Sequence, residues 1–340
     1  MVELKGKKIL VTFLMHLGDL TLTTPFIHAL RQAAPDAHIT MLVDEKLKDV
    51  VLFNPYLDEV VTIDKKGRDN GILALWACAR HLSKLDFDVL INLHPNERCS
   101  FIDAMTKVKL RTGTTHSLFK WFWDVFTPLD RKLHAADMYL DVLKQLGVHD
   151  LSNNGLEIFP GEKHFAEAEA FWLSQKLTDE DKLIGFNIGS AVPTKRWPPE
   201  RFAKVADIFA AEGYKTVFFG GTMDEEMVME ATGYMQTRPI IATGHFAIGG
   251  LAAAMRRCCL IITNDSGPMH VAISQKVPIV AMYGPSNPKL YGPYTKDAVI
   301  VTAQPPCEGC ADGMKHSCDD MQCMTRMTVE QVVTAAEKML

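Results

Sequence analysis

Three segments of the chain end an apolar run in small, hydroxyl-bearing and ionisable residues of the kind that moves groups between oxygens. The first is Met15-His16-Leu17-Gly18-Asp19-Leu20-Thr21, in which a carboxylate follows a glycine at the start of a helical pattern. Asp19 either caps that helix or displays a base that takes a proton from an incoming hydroxyl, a service worth about 10²–10⁴ in rate. The second is Gly189-Ser190-Ala191, followed by Pro193 to Glu200. Small side chains there let backbone amides approach a ligand, Lys195 adds a fixed positive charge, and Pro198-Pro199 begin a helix where proline is tolerated. Such a set suits a diphosphate whose negative charge grows as a bond breaks; an ordinary loop with a solvated Lys-Arg pair would use the same residues. The third is Asn264-Asp265-Ser266-Gly267-Pro268-Met269-His270, a polar turn running straight into a helix. Its amides and the Ser266 hydroxyl can point at phosphate oxygens, or the turn is a plain Asx turn and helix cap. His270 taken alone is more simply a packed helix histidine than a catalytic group.

The elements that must position these segments alternate along nearly the whole chain. Strand candidates are Lys8–Met15, His38–Val43, Glu59–Ile63, Val89–Leu93 and Lys109–Thr112, then Leu183–Ile188, Lys215–Phe219, Pro239–Ala242, Leu260–Thr263, Pro278–Met282 and Val299–Thr302. Helical patterns fall between them, among them Leu20–Ala33, Ile72–Leu85, Ala135–Leu146, Pro199–Ala211, Asp224–Met235, Ile248–Arg257 and Pro268–Gln275. Continuous Val/Ile/Leu runs separated by helices indicate parallel strands buried on both faces, and hence two doubly wound α/β domains. Phe159-Pro160-Gly161 interrupts the pattern and marks the joint. The expected divisions are 1–158, 159–327 and a terminal helix over 328–340, opened by a Thr-x-x-Gln start that resembles a capping box. In such sheets ligands sit beyond the carboxyl ends of the strands, where all three segments fall.

Composition narrows the function classes. The 340 residues are 47% apolar and 23% charged with a net charge of −5, the balance of a soluble globular protein with no general attraction for nucleic acid. No run reaches the roughly 18 apolar residues of a membrane span. Lys7-Lys8 and the apolar stretch after them read as a first buried strand rather than a secretory signal, which points to the cytoplasm. The first segment has neither the G-x-G-x-x-G fingerprint nor a P-loop, so nicotinamide, flavin and P-loop chemistry are disfavoured.

Gly18-Asp19, Lys195-x-Trp197-Pro198 and Asn264-Asp265-Ser266-Gly267-x-x-His270 occur in an order and spacing that resembles the lipopolysaccharide heptosyltransferase family of glycosyltransferases. The resemblance covers nearly the whole chain. It implies a GT-B fold, two Rossmann-like domains facing a cleft, with the terminal helix turned back toward the first domain. It also implies inverting, metal-independent transfer of heptose from ADP-heptose to a lipid-linked saccharide, the lipopolysaccharide inner core, with no cofactor. By resemblance Asp19 matches the general base and Lys195 the lysine that supports the departing diphosphate. Gly18 lies beside the base, and Ser190 matches a hydroxyl contact to the donor. Ala191 stands where the family often has a second hydroxyl. Glu225 matches the acidic residue that holds the ribose, although Asp224 or Glu226 could serve. Asp265, Ser266 and Gly267 match the segment gripping the phosphates and donor sugar, with His270 beside it. Another nucleotide sugar on the same fold, or a GT-B sugar-nucleotide epimerase, would use similar residues.

Two further features stand outside that scheme. Cys307-x₂-Cys310-x₇-Cys318-x₄-Cys323 could hold a structural zinc in Cys₄ geometry, or consist of reduced thiols. Ser117 to Phe126 packs aromatics around Lys120, which suits either peripheral contact with the inner membrane or a core-facing or subunit-facing segment.

Overall fold

A computed structural model of the chain describes residues 2–304, 307, 318 and 320–340. The chain divides into two compact units, Met1–Phe159 and Pro160–Leu340. In the first, the order is β1 (Lys8–Thr12), α1 (Leu17–Thr21), α2 (Thr24–Ala33), β2 (His38–Asp44), β3 (Glu59–Ile63), α3 (Ile72–Ser83), β4 (Val89–Asn92), α4 (Glu97–Met105), β5 (Leu110–Gly113), β6 (Val125–Phe126) and α5 (Ala135–Gln145). All strands pair in parallel in the order β3-β2-β1-β4-β5-β6. Leu10, Leu42 and Leu90 of adjacent strands pack with Ala79 and Leu82 of α3 and Cys99 and Ile102 of α4.

The single helix expected over Leu20–Ala33 is two helices. Pro25 offers no amide proton and disfavours helical geometry in the residue before it. The hydroxyls of Thr21, Thr23 and Thr24 turn back to the carbonyls of Leu17, Leu20 and Thr21 at 2.7–2.9 Å. Helix α4 and the two-residue edge strand β6 were not expected. A short turn of 3₁₀ helix, residues 117–122, leads into β6.

The second unit runs α6 (Glu162–Ser174), β7 (Leu183–Asn187), α7 (Pro199–Ala211), β8 (Lys215–Phe219), α8 (Glu225–Gly233), β9 (Ile240–Ile241), α9 (Ile248–Met255), β10 (Cys258–Asn264), α10 (Gly267–Ser274), β11 (Ile279–Met282), α11 (Pro288–Tyr291), β12 (Ala298–Val301), α12 (Gln322–Thr325) and α13 (Val329–Glu337). Its strands are again parallel, in the order β12-β11-β10-β7-β8-β9. Counted from β7, that is the strand order of the first unit. In each sheet the order reverses once, between β1 and β4 and between β7 and β10, and there the loops part to leave a crevice.

Burial on both sheet faces explains the unbroken apolar runs: Ile184, Phe186, Leu260, Ile262 and Val280 are all buried. Trp197 anchors this core, its ring edge-on to Phe202 and its Nε1 donating to Met327 O at 3.1 Å. Helix α13 opens with the expected reciprocal cap, Thr328 Oγ1 accepting from Gln331 N and Gln331 Oε1 from Thr328 N. Helix α13 packs on α7, β11 and β12 of the second unit. Among the described residues no helix is long and apolar enough to cross a membrane.

Candidate active site

At the β7/β10 crevice the sequence-predicted residues come together. Asn187 ends β7 with a buried amide, and its Nδ2 donates to Ser266 Oγ at 2.9 Å and to Thr263 Oγ1 at 3.2 Å. Ser266 is the N-cap of α10, yet its side chain makes no capping bond. Because its oxygen already accepts from Asn187, its proton is the part left for an incoming oxygen. The amide end of α10 adds positive potential at the same place.

Lys195 leaves the loop after β7 and reaches Asp265, Nζ to Oδ2 at 2.7 Å, with both side chains nearly enclosed. Ser286, in the loop after β11, donates to the same carboxylate oxygen. Ser190 Oγ donates to Asp265 O at 3.3 Å, and Ser190 O accepts from Arg196 Nε at 2.8 Å. Asn264 ties the two loops together, accepting from Trp197 N at 3.0 Å and donating to Ile188 O at 2.7 Å. Beneath them, burial first and the Asp265 charge second push the Tyr283 phenol far above its ordinary range. It stays protonated and donates to Tyr291 O at 2.9 Å. An ionised Asp265 can only accept hydrogen bonds. Its Oδ2 is engaged by Lys195 and Ser286.

Gly267 is the first residue of α10 and His270 a buried residue of the same helix. Glu225 stands apart from the bonded cluster, exposed at the first position of α8 beyond the end of β8. Its carboxylate lies over Gly244, where an added Cβ would come within 2.7 Å of Oε1. Asp224, one of the alternatives, is buried. Its Oδ2 accepts from Gly221 N at 2.9 Å, and its Oδ1 leaves no room for a side chain at Gly189, 2.2 Å from where a Cβ would stand. That commits Asp224 to its own loop. Glu225 and Glu226 are the exposed carboxylates there.

In the first unit, Gly18 and Asp19 are the second and third residues of α1, and the N-cap is His16. Asp19 is therefore not the capping residue; it projects from the first turn, partly buried. The neighbouring loop, after β4, holds His94. Burial chiefly, then Arg131 and His16, lower its pKa to about 4, so the ring is neutral at pH 7. Below the crevice, Asp103 of α4 accepts from Thr12 Oγ1 at 2.8 Å, from Asn92 Nδ2 and from Cys99 Sγ. Burial pushes this carboxyl up to about 7 against those bonds.

Reading the sequence alone missed Asn187, Ser286, His94, Asp103 and the buried Lys65. The available signal was a polar residue at the end of an apolar run, as at Asn92, Asn187 and Asn264. Of the tail cysteines, Cys307 is half-buried against the core, Cys318 is half-buried and Cys323 is buried; Cys310 lies outside the described residues. Among the described residues no group of three His, Cys, Asp or Glu is arranged to hold a metal ion.

The profile of glycosyltransferase family 9 (heptosyltransferase) matches residues 75–318. The chain belongs to that family. Lipopolysaccharide heptosyltransferase 3 of Escherichia coli (strain K12) is 27% identical over 345 residues, covering 95% of each chain. A glycosyl transferase family 9 structure from Veillonella parvula DSM 2008 superimposes with a TM-score of 0.92 at 53% identity, over 99% of this chain and 98% of that one. The E. coli ADP-heptose lps heptosyltransferase II structure shares the fold, with a TM-score of 0.80 at 21% identity over 98% of both chains. The two six-stranded parallel-sheet domains are thus those of the GT-B heptosyltransferases, and the protein is a glycosyltransferase of the lipopolysaccharide heptosyltransferase family.

Proposed function

We propose that this enzyme transfers heptose from ADP-heptose to a hydroxyl of the lipopolysaccharide inner core by a single displacement that inverts the anomeric carbon. The observation that carries the reading is the linked set of Lys195, Asp265, Ser266 and Ser190 at the strand-order reversal of the second unit. Asp265 holds Lys195 in place, and the Ser266 proton and the start of α10 add two more donors. Fixed positive groups of this kind stabilise charge as it develops on a leaving diphosphate. They supply the field that a metal ion supplies elsewhere, which is the ground for a metal-independent mechanism. Asp19 deprotonates the acceptor hydroxyl, the oxygen attacks the anomeric carbon, and the ADP departs with its new charge on Lys195. Glu225 accepts from the ribose hydroxyls. His270 and Gly267 shape the donor end of α10, and Gly18 gives the acceptor room beside the base.

Work on a lipid-linked acceptor suits an enzyme of the cytoplasm that rests against the inner membrane. The surface that suits such contact carries Ile72, Leu73 and Trp76 of α3 and Leu118 and Trp121 of the 117–122 turn, all exposed. Helix α4 packs against both. Exposed Lys66, Arg80 and Lys120 flank them. Trp123 is instead a core residue, its Nε1 donating to Thr112 O at 3.0 Å. Vesicles containing anionic lipid are expected to retain the protein and to lose it when Leu73, Leu118 and Trp121 become serine; equal retention of the variant removes this surface from the proposal.

A thermal-shift screen over ADP, UDP, GDP and CDP sugars tests the donor. A ligand at 100 times its Kd stabilises the folded state by about 2.7 kcal/mol. Stabilisation by an ADP sugar ahead of the others is expected. A preference for another nucleotide would keep the glycosyltransferase and replace its donor.

A further inference from the structure

Lys65 stands two residues beyond β3, on the same end of the sheet as the loop between β1 and α1. Its side chain is buried, and the ammonium meets three oxygens. Nζ donates to Leu14 O and to Met15 O, both at 2.9 Å, and lies 3.2 Å from Asp44 Oδ2. Asp44 ends β2, the strand between β3 and β1, and its other oxygen accepts from Lys46 N at 3.2 Å. On its far side Lys65 is fixed as well, since its carbonyl accepts from Arg98 of α4, whose second nitrogen donates to Asn70 Oδ1 at 2.8 Å. One side chain thus ties the carboxyl ends of three neighbouring strands together.

A buried ammonium loses its hydration, and that cost is offset only when its protons find well-placed acceptors. An apolar residue would fill the same space without it. What the lysine adds is direction, because the two carbonyls it holds immediately precede His16, the N-cap of α1. That helix has five residues and no side-chain capping bond. A helix so short has no stability of its own, so its orientation is set by its packing on Glu45–Val50 and by whatever grips the chain at its entrance. Asp19 is its third residue. We infer that Lys65 is a positioning residue for Asp19, holding the loop that aims the carboxylate at the acceptor hydroxyl. The inference rests on the reading of Asp19 as the base.

Lys65→Met alone strands Asp44 as a buried unpaired charge and can fail to fold for that reason. The double variant Lys65→Met with Asp44→Asn removes both charges and keeps the bulk. In the full-length double variant, amide exchange over residues 14–22 is expected to rise about tenfold or more, with residues 183–197 unchanged. Transfer from ADP-heptose should lose about 10²-fold in kcat, the scale of a misplacement near 1 Å, while the donor KM stays within about twofold. Lys65→Arg, which can still donate to the carbonyls, should recover part of the loss. Wild-type exchange over residues 14–22 in the double variant overturns the inference, and so does full kcat despite faster exchange. Asp19→Ala assayed alongside separates the two readings. If it transfers at the wild-type rate the base assignment fails, while the exchange data still decide whether Lys65 fixes the loop.

Discussion

Between β7 and β10 the buried ionisable groups, Lys195 and Asp265, are bonded to each other; between β1 and β4, the matching place in the first unit, burial pushes His94 and Asp103 toward their neutral forms. Lys195 and Asp265 stand as an ion pair at 2.7 Å with Ser286 on the shared oxygen. His94 is held neutral by a pKa near 4, and Asp103 is pushed up to about 7. The strand order is the same in both sheets, so the scaffold does not cause the difference. The cause lies in what the loops bring. One crevice concentrates an ammonium, hydroxyls and a helix start, which favour an anion. The other holds two groups that burial pushes toward their neutral forms, His94 and Asp103, with the buried Lys65–Asp44 pair at the neighbouring strand ends. The chemistry of such a fold sits in its loops, and in the proposed mechanism the two units divide it between a leaving group and a nucleophile.

If that division holds, substitutions in the two crevices fail in different ways. The largest effect is expected at the base. Asp19→Ala should cost about 10²–10⁴ in kcat, the range for losing general-base catalysis, and leave ADP affinity by calorimetry unchanged. A variant that loses nucleotide affinity in parallel would show that the first unit also holds the donor. Lys195→Ala comes next, with about 10²–10³ lost from kcat as one preorganised donor to the leaving group is removed. It should also weaken ADP binding, which Asp19→Ala does not. Because it leaves Asp265 buried without its partner, it should destabilise the second unit by about 3 kcal/mol. Lys195→Met with Asp265→Asn should restore the melting temperature without restoring transfer.

A smaller effect separates the crevices by pH. The folded-state pKa of Asp103 lies above its ordinary value of 3.8, at about 7. The folded protein therefore binds this proton more tightly than the unfolded chain does. The contribution to stability is complete below about pH 4, is lost as the pH rises toward 7, and is level above that. Over that window the slope from this group reaches about 1.4 kcal/mol per pH unit. In Asp103→Asn the slope should be absent, as read by urea titration with exchange of the β1 and β4 amides. An unchanged slope would mean that Asp103 is ionised in the fold and that the first crevice keeps its charge after all.

Much of this was legible in the sequence, for identifiable reasons. Eleven strands announce themselves because both faces of each sheet are covered, and runs such as Leu183–Ile188 or Leu260–Thr263 have no polar face to hide. Strand β6 escaped because two residues at a sheet edge make no pattern. Helix α4 escaped because it is buried nearly all round, with Cys99, Ser100, Ile102 and Asp103 enclosed, so its period is blurred. Residues such as Ser190, Lys195, Asp265 and Ser266 were visible as polar endings of apolar runs. Their pairing was not, since Ser286 follows Asp265 by 21 residues and Lys195 precedes it by 70. Nothing local says that those side chains turn toward one oxygen. Asp265 shows the same limit in reverse. Its place beside Ser266 suggests a ligand contact, and only the fold reveals that its carboxylate is engaged by Lys195.

The finest distinction concerns the donor alone, and it falls on Glu225. Asp224 is spent on its loop, accepting from Gly221 N and closing the space over Gly189. Glu225 is exposed at the head of α8, where a carboxylate is favoured by the helix start and can accept from two vicinal hydroxyls. Glu225→Gln keeps the shape and removes the charge, so the donor should still bind, with its KM raised about fivefold, the worth of roughly one hydrogen bond. An unchanged kcat would identify the contact as equal in the ground and transition states, as expected for a ribose remote from the bond that breaks. Asp224→Asn should instead lower the melting temperature of the second unit. If Glu226→Gln, and not Glu225→Gln, raises the donor KM, the ribose contact moves one residue along α8 while the division between the two crevices stands.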